Sequence, residues 1–181
     1  MSKYILGHRA QTRADAIRYI VSIGILILLT SVLQVSFFSR FRIFGTLPDL
    51  MLCILLCIAF FCGKQVGAIT GLVSGFLIEA MGAYGIMLLP LVYMLFGYFV
   101  GHYARTAIPK RFTAYLPYLG AAVVLRAVVT VLYTVFYHSI GSPFSFLIET
   151  LLPEMLLTAA VGCILYFPIY RFCRFLENKR R

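Results

Sequence analysis

Two ionisable side chains lie deep inside apolar stretches of the chain, and they are the first candidates for chemistry. Arg126 is twelve residues into the apolar run 115–137, and Glu79 is about thirteen residues into the run 66–81. A charge near the centre of a bilayer costs at least about 2.5–3.5 kcal/mol on insertion scales, so it faces protein and finds a partner. At about 1.5 Å of helical rise per residue the two depths agree within a few ångströms. This predicts an intramembrane charge pair between Glu79 and Arg126. Glu149 and Glu154, at the outer edge of the last apolar run, are the second-choice partners. The same charges would suit a transport or proton-relay site, and that reading stands beside the structural one.

Other reactive side chains do not converge. Ser74 sits in Gly71-Leu72-Val73-Ser74-Gly75, which superficially resembles an intramembrane serine protease, but the spacing is GxxSG rather than GxSG. His8 lies in the N-terminal tail, and His102 and His138 are expected at opposite membrane faces, so no base is available at the depth of Ser74. The five cysteines (Cys53, Cys57, Cys62, Cys163 and Cys173) form no CxxC or Cys/His ligand spacing. They read as small buried hydrophobes. Neither a phosphate loop nor a paired-carboxylate site nor a metal cluster is present. The sequence therefore predicts no catalytic residue, no metal, no cofactor and no enzyme.

The elements that hold these residues are legible from composition. Of 181 residues, 62% are hydrophobic and only 12% charged, with a mean hydropathy of +0.95. Soluble domains carry about 45–50% apolar and about 25% charged residues. A water-soluble globular enzyme is excluded, and so is intrinsic disorder. Apolar runs span 19–38, 50–62, 66–81, 86–103, 115–137 and 151–172. At about 20 residues per crossing, the fold class predicted is an all-α integral membrane protein, a compact six-helix transmembrane bundle. Residues 1–18 form a basic cytoplasmic N-tail, 19–172 the bundle and 173–181 a basic cytoplasmic C-tail. The first run reads as a retained crossing rather than a cleaved signal peptide. The second and third runs are short. They are read as spanning with snorkelling flanks or a thinned bilayer, with a re-entrant pair as the alternative.

The net charge of +10 does not point to nucleic acid, because the charges fall in short clusters between the apolar runs. Thirteen Lys and Arg belong to the N-tail (Lys3 to Arg18), to Lys64, to the loop with Arg105, Lys110 and Arg111, and to the C-tail from Arg171 onward. The opposite side has only Arg40 and Arg42. Basic loops stay in the cytoplasm, so both termini are expected there, in the inner (plasma) membrane.

Two local patterns stand out. Thr46-Leu47-Pro48-Asp49 reads as a helix start: Thr46 suits the cap, Pro48 an early helical position, and Asp49 the positive end of the dipole. In the third run Gly63, Gly67, Gly71 and Gly75 recur every fourth residue, with Glu79 at the next step, and Gly97 and Gly101 repeat the spacing in the fourth. Such rows let helix backbones approach closely. They serve internal packing, or seat a partner's helix, or do both on different faces.

The segment Leu47-Pro48-Asp49-Leu50, the glycine row Gly63, Gly67, Gly71 and Gly75 followed by Phe76, then Glu79, Gly82, Gly85 and Gly97-Tyr98-x-x-Gly101, resembles the rod shape-determining protein MreD family. The resemblance covers about residues 46 to 101 by motif, and the rest by length, six crossings and basic tails. The family more often carries aspartate at the Glu79 position. The resemblance implies a non-enzymatic scaffold subunit of the bacterial cell-wall elongation machinery. It further implies MreC as the most direct partner, with MreB, RodA and a penicillin-binding transpeptidase as members of the complex. Pro48, Asp49, Gly82 and Gly85 are then structural motif residues.

A second reading belongs to another class. The substrate-binding S subunit of energy-coupling-factor vitamin transporters is also a six-helix membrane protein of this size, and the family resembles it in architecture. Glu79, Arg126, Glu149 and Glu154 would line its pocket. The first run lacks the Ala-x-x-x-Ala docking surface such a subunit needs, offering Gly24, Ser31 and scattered polar positions.

Overall fold

The computed structural model describes residues 13–38, 48–81, 88–106, 112–138 and 151–178. The described residues form six helices: α1 (Arg13–Leu33), α2 (Leu50–Cys62), α3 (Lys64–Ala80), α4 (Leu89–Thr106), α5 (Phe112–His138) and α6 (Leu152–Asn178). Helix α1 runs on through a π-helical turn, Gln34–Phe38. The described residues are thus all-helical, as the composition predicts. Three helical stretches are long and apolar enough to cross a membrane: Arg18–Ser36, Phe112–Phe136 and Leu152–Cys173. Helices α2 and α4 contribute shorter apolar stretches, Leu50–Cys62 and Leu89–Ala104.

Helix α2 is the axis of the bundle. Its sequence is apolar on every face, and a helix of that kind belongs inside. Residues Leu50 to Phe61 are all buried, and α2 touches every other helix. The α3–α4 hairpin packs on one side of it and the α5–α6 pair on another, with α1 against α2 and α3. The shortness of α2 follows from this position. A helix enclosed by protein is not required to match the bilayer, so about 20 Å of rise suffices. The outward faces carry exposed apolar side chains instead, among them Ile25 and Leu29 of α1, Phe76 of α3, Phe136 of α5 and Ile164 of α6. That surface is the inverse of a soluble protein's and matches a lipid environment.

One residue turns the chain from α2 into α3. Gly63 has φ +89° and ψ −179°, a backbone conformation that side-chain-bearing residues rarely adopt. Its N–H donates to Ala59 O at 3.0 Å and its carbonyl accepts from Gly67 N at 2.9 Å. Both helix ends are closed by the same residue.

The glycine rows have a definite address. Gly67, Gly71 and Gly75 on α3 face α4, which runs antiparallel to α3. A Cβ at Gly67 would strike Gly97 O, one at Gly71 would strike Tyr93 O, and one at Gly75 would lie 2.5 Å from Pro90 Cα. On α4, a Cβ at Gly97 would strike Gly67 O, and one at Gly101 would lie 2.6 Å from Gly63 C and Lys64 N. The two backbones are in contact along the hairpin. Of the uses expected for these glycines, internal packing is the one this face shows: α4 occupies the groove, so a partner's helix would have to seat on another face.

Candidate functional site

The start of α2 is buried, and this dictates its chemistry. The first N–H groups of a helix have no partner within the helix, and water cannot reach them here. Each is satisfied by a protein oxygen. Leu50 N donates to Pro48 O at 3.1 Å, and Met51 N donates to the side-chain Oε1 of Gln34 at 2.9 Å. Leu52 N donates to Asp49 Oδ1 at 3.0 Å, and Cys53 N donates to Asp49 O at 3.3 Å. Asp49 is therefore the N-cap, and Pro48 precedes the helix rather than opening it. The expected cap, Thr46, lies outside the described residues, as do Gly82 and Gly85. Asp49 caps because its carboxylate reaches the N–H three residues on, a task for which aspartate is well suited.

A fully buried carboxylate needs more than a cap, and Asp49 is 0% exposed. Three other helices converge on it. Tyr93 of α4, itself fully buried, donates its hydroxyl to Asp49 Oδ2. From α5, Arg126 brings Nε to 2.6 Å from Oδ2, close enough for an ion pair though off the line of a straight hydrogen bond. Thr158 of α6 accepts from the Asp49 backbone N–H through Oγ1 at 3.1 Å. The backbone O of Thr158 accepts from Cys53 Sγ at 3.3 Å. Arg126 then reaches back to α6, its Nη1 donating to Glu154 Oε1 at 2.5 Å. Burial makes this set interdependent: each group alone would be costly away from water, and together they are satisfied.

The expected pair of Glu79 with Arg126 is corrected. Arg126 is engaged by Asp49 and by Glu154, which ranked only as a second-choice partner; Glu149 lies outside the described residues. Depth along the membrane normal is one coordinate, and the second is position around the bundle. Helix α2 stands between α3 and α5, so Glu79 and Arg126 do not meet although their depths match. Glu79 has its Oε2 buried with no hydrogen-bond partner and forms no ion pair among the described residues. The residue that sequence reasoning undervalued is Asp49, read as a charge at the positive end of the helix dipole and as a motif residue. The available signal was that a second acid opened an entirely apolar helix.

The other candidates are not drawn into the cluster. Ser74 Oγ donates to Gly71 O at 3.0 Å within its own helix. His102 is exposed and stacks on Tyr98, with ring centroids 6.1 Å apart. Of the five cysteine thiols, Cys53 and Cys57 are buried. No group of three or more metal-ligating side chains occurs among the described residues. Chemically, the cluster can lock four helices together and hold or exchange a proton. A cavity beside it, lined in part by Leu52, Arg126, Glu154 and Thr158, has a volume of about 10 Å³. That is room for roughly one water molecule.

The family model for rod shape-determining protein MreD matches residues 15–176, nearly the whole chain. No curated protein and no solved structure matches it significantly.

Proposed function

Because the chain belongs to the rod shape-determining protein MreD family, a family of shape-determining structural proteins rather than enzymes, we propose that it is a membrane scaffold subunit of the cell-wall elongation machinery. In this reading it binds MreC within the inner membrane and links MreB with the peptidoglycan synthases RodA and a penicillin-binding transpeptidase. Six helices cross the membrane and both termini lie in the cytoplasm, as the distribution of Lys and Arg favours. The family match over residues 15–176 carries the proposal.

The geometry supports a scaffold. The α3–α4 hairpin is held by backbone contact, and the buried charges are spent on joining helices. The buried arginine that a vitamin pocket would use is instead committed to Asp49 and Glu154.

Deletion and co-purification in the native bacterium test the proposal. Loss of the gene is expected to convert rods to rounded cells, and the tagged protein is expected to recover MreC from solubilised membranes. Unchanged rods, together with recovery of paired transporter ATPases in place of MreC, would overturn it in favour of the vitamin-transporter reading.

A further inference from the structure

The charged cluster is asymmetric. The Asp49 carboxylate is fully buried and accepts hydrogen bonds from Leu52 N and Tyr93 Oη in addition to its ion pair with Arg126. The Glu154 side chain retains 13% exposure and is held among the described residues by Arg126 Nη1. Both acids sit at helix N-termini, Asp49 as the cap of α2 and Glu154 in the first turn of α6. One guanidinium thus serves two carboxylates, and Glu154 is the one with fewer donors among the described residues. The described charged and titratable groups facing Glu154 are Arg126 from α5 and Asp49 from the start of α2. Behind Asp49 lie Tyr93 of α4 and the Cys53 thiol of α2. The water-sized cavity touches Glu154 as well as Arg126.

We propose that Glu154 is the proton-binding group of this cluster and the releasable arm of a latch. On acidification its carboxylate takes one proton from water and becomes a neutral acid. Arg126 keeps its charge and stays on Asp49, and the start of α6 is freed from α5. The latch is closed at neutral pH and opens in acid, whichever partner the bundle binds.

Infrared difference spectra of the full-length protein in phosphatidylcholine vesicles, recorded as pH is lowered from about 8 to about 4, test this directly. A carboxylic-acid carbonyl band is expected to grow, to shift when glutamates carry ¹³C and to stay put when aspartates do. The chain has four glutamates, so the band is expected to lose part of its amplitude in Glu154→Gln and to keep it in Glu79→Gln. The isotope comparison uses the unmodified chain, so the assignment to glutamate stands even if a variant folds poorly. In parallel, the Tm of the unmodified protein is expected to converge in acid on that of Glu154→Gln, closing the difference between them. A band that is absent, follows labelled aspartate or keeps its full amplitude in Glu154→Gln overturns the proposal. A Tm difference that persists in acid does so too.

Discussion

Asp49 and Arg126, far apart in the sequence, meet at 2.6 Å between Oδ2 and Nε in the centre of the bundle. The contact ties the capped start of α2 to α5, and through Glu154 and Thr158 to α6. It makes the N-terminus of the most buried helix the joint at which the fold is held together.

Arg126 is expected to be the least replaceable side chain of this joint. Arg126→Leu leaves two buried carboxylates without their cation, and breaking a buried pair on one side generally costs about 3–5 kcal/mol. Arg126→Lys recovers only part, since an ammonium lacks the planar fork that serves two acids at once. Adding Asp49→Asn to Arg126→Leu is expected to restore some stability, because asparagine keeps the cap and removes a stranded charge. Adding Glu79→Leu is expected to bring no rescue beyond additivity. Denaturation midpoints in detergent micelles check the whole set, and rescue by Glu79→Leu would contradict the structure.

Two side chains that satisfy the buried cap are expected to matter nearly as much. Tyr93→Phe removes a donor from the Asp49 carboxylate, and Gln34→Leu orphans the buried Met51 N–H. Leaving a buried polar group unsatisfied costs about 1–3 kcal/mol. Each variant should lower the same midpoint by that amount, whereas Tyr98→Phe on the exposed face of α4 should leave it unchanged.

The glycines divide by position. Gly71→Ala and Gly97→Ala drive a methyl into the opposing backbone, and overpacking of this kind typically costs about 1–3 kcal/mol. Gly24→Ala and Gly120→Ala meet nothing within 4 Å and gain helix propensity. Monodisperse yield on size exclusion is expected to fall for the first pair and to hold for the second. Equal yields from both pairs would mean that the α3–α4 hairpin is looser than described.

For topology, single cysteines at Ser2 and Asn178 on a cysteine-free background are expected to resist a membrane-impermeant reagent in intact cells and to label after permeabilisation. Labelling of either from outside would contradict cytoplasmic termini.

What the sequence determined by itself is the set of elements. The apolar run at 50–62 coincides with α2, and the other five runs lie within a few residues of their helices, because an unbroken apolar stretch has one stable form where water is absent. The four-residue glycine spacing announced backbone-to-backbone packing, and the motif residues of the second to fourth runs pointed to the family that the whole chain then matched. The tertiary structure alone decided which faces meet. Spacing places a residue on one face of its helix, and depth places it along the membrane normal. Neither gives the order of helices around the bundle. That order put α4 into the glycine groove and so chose internal packing for that face. It set α2 between Glu79 and Arg126, and it brought Asp49, Tyr93 and Glu154 to the arginine from three other elements. The choice among acids at similar depth was made by packing around an all-apolar helix, and only the assembled bundle contains it.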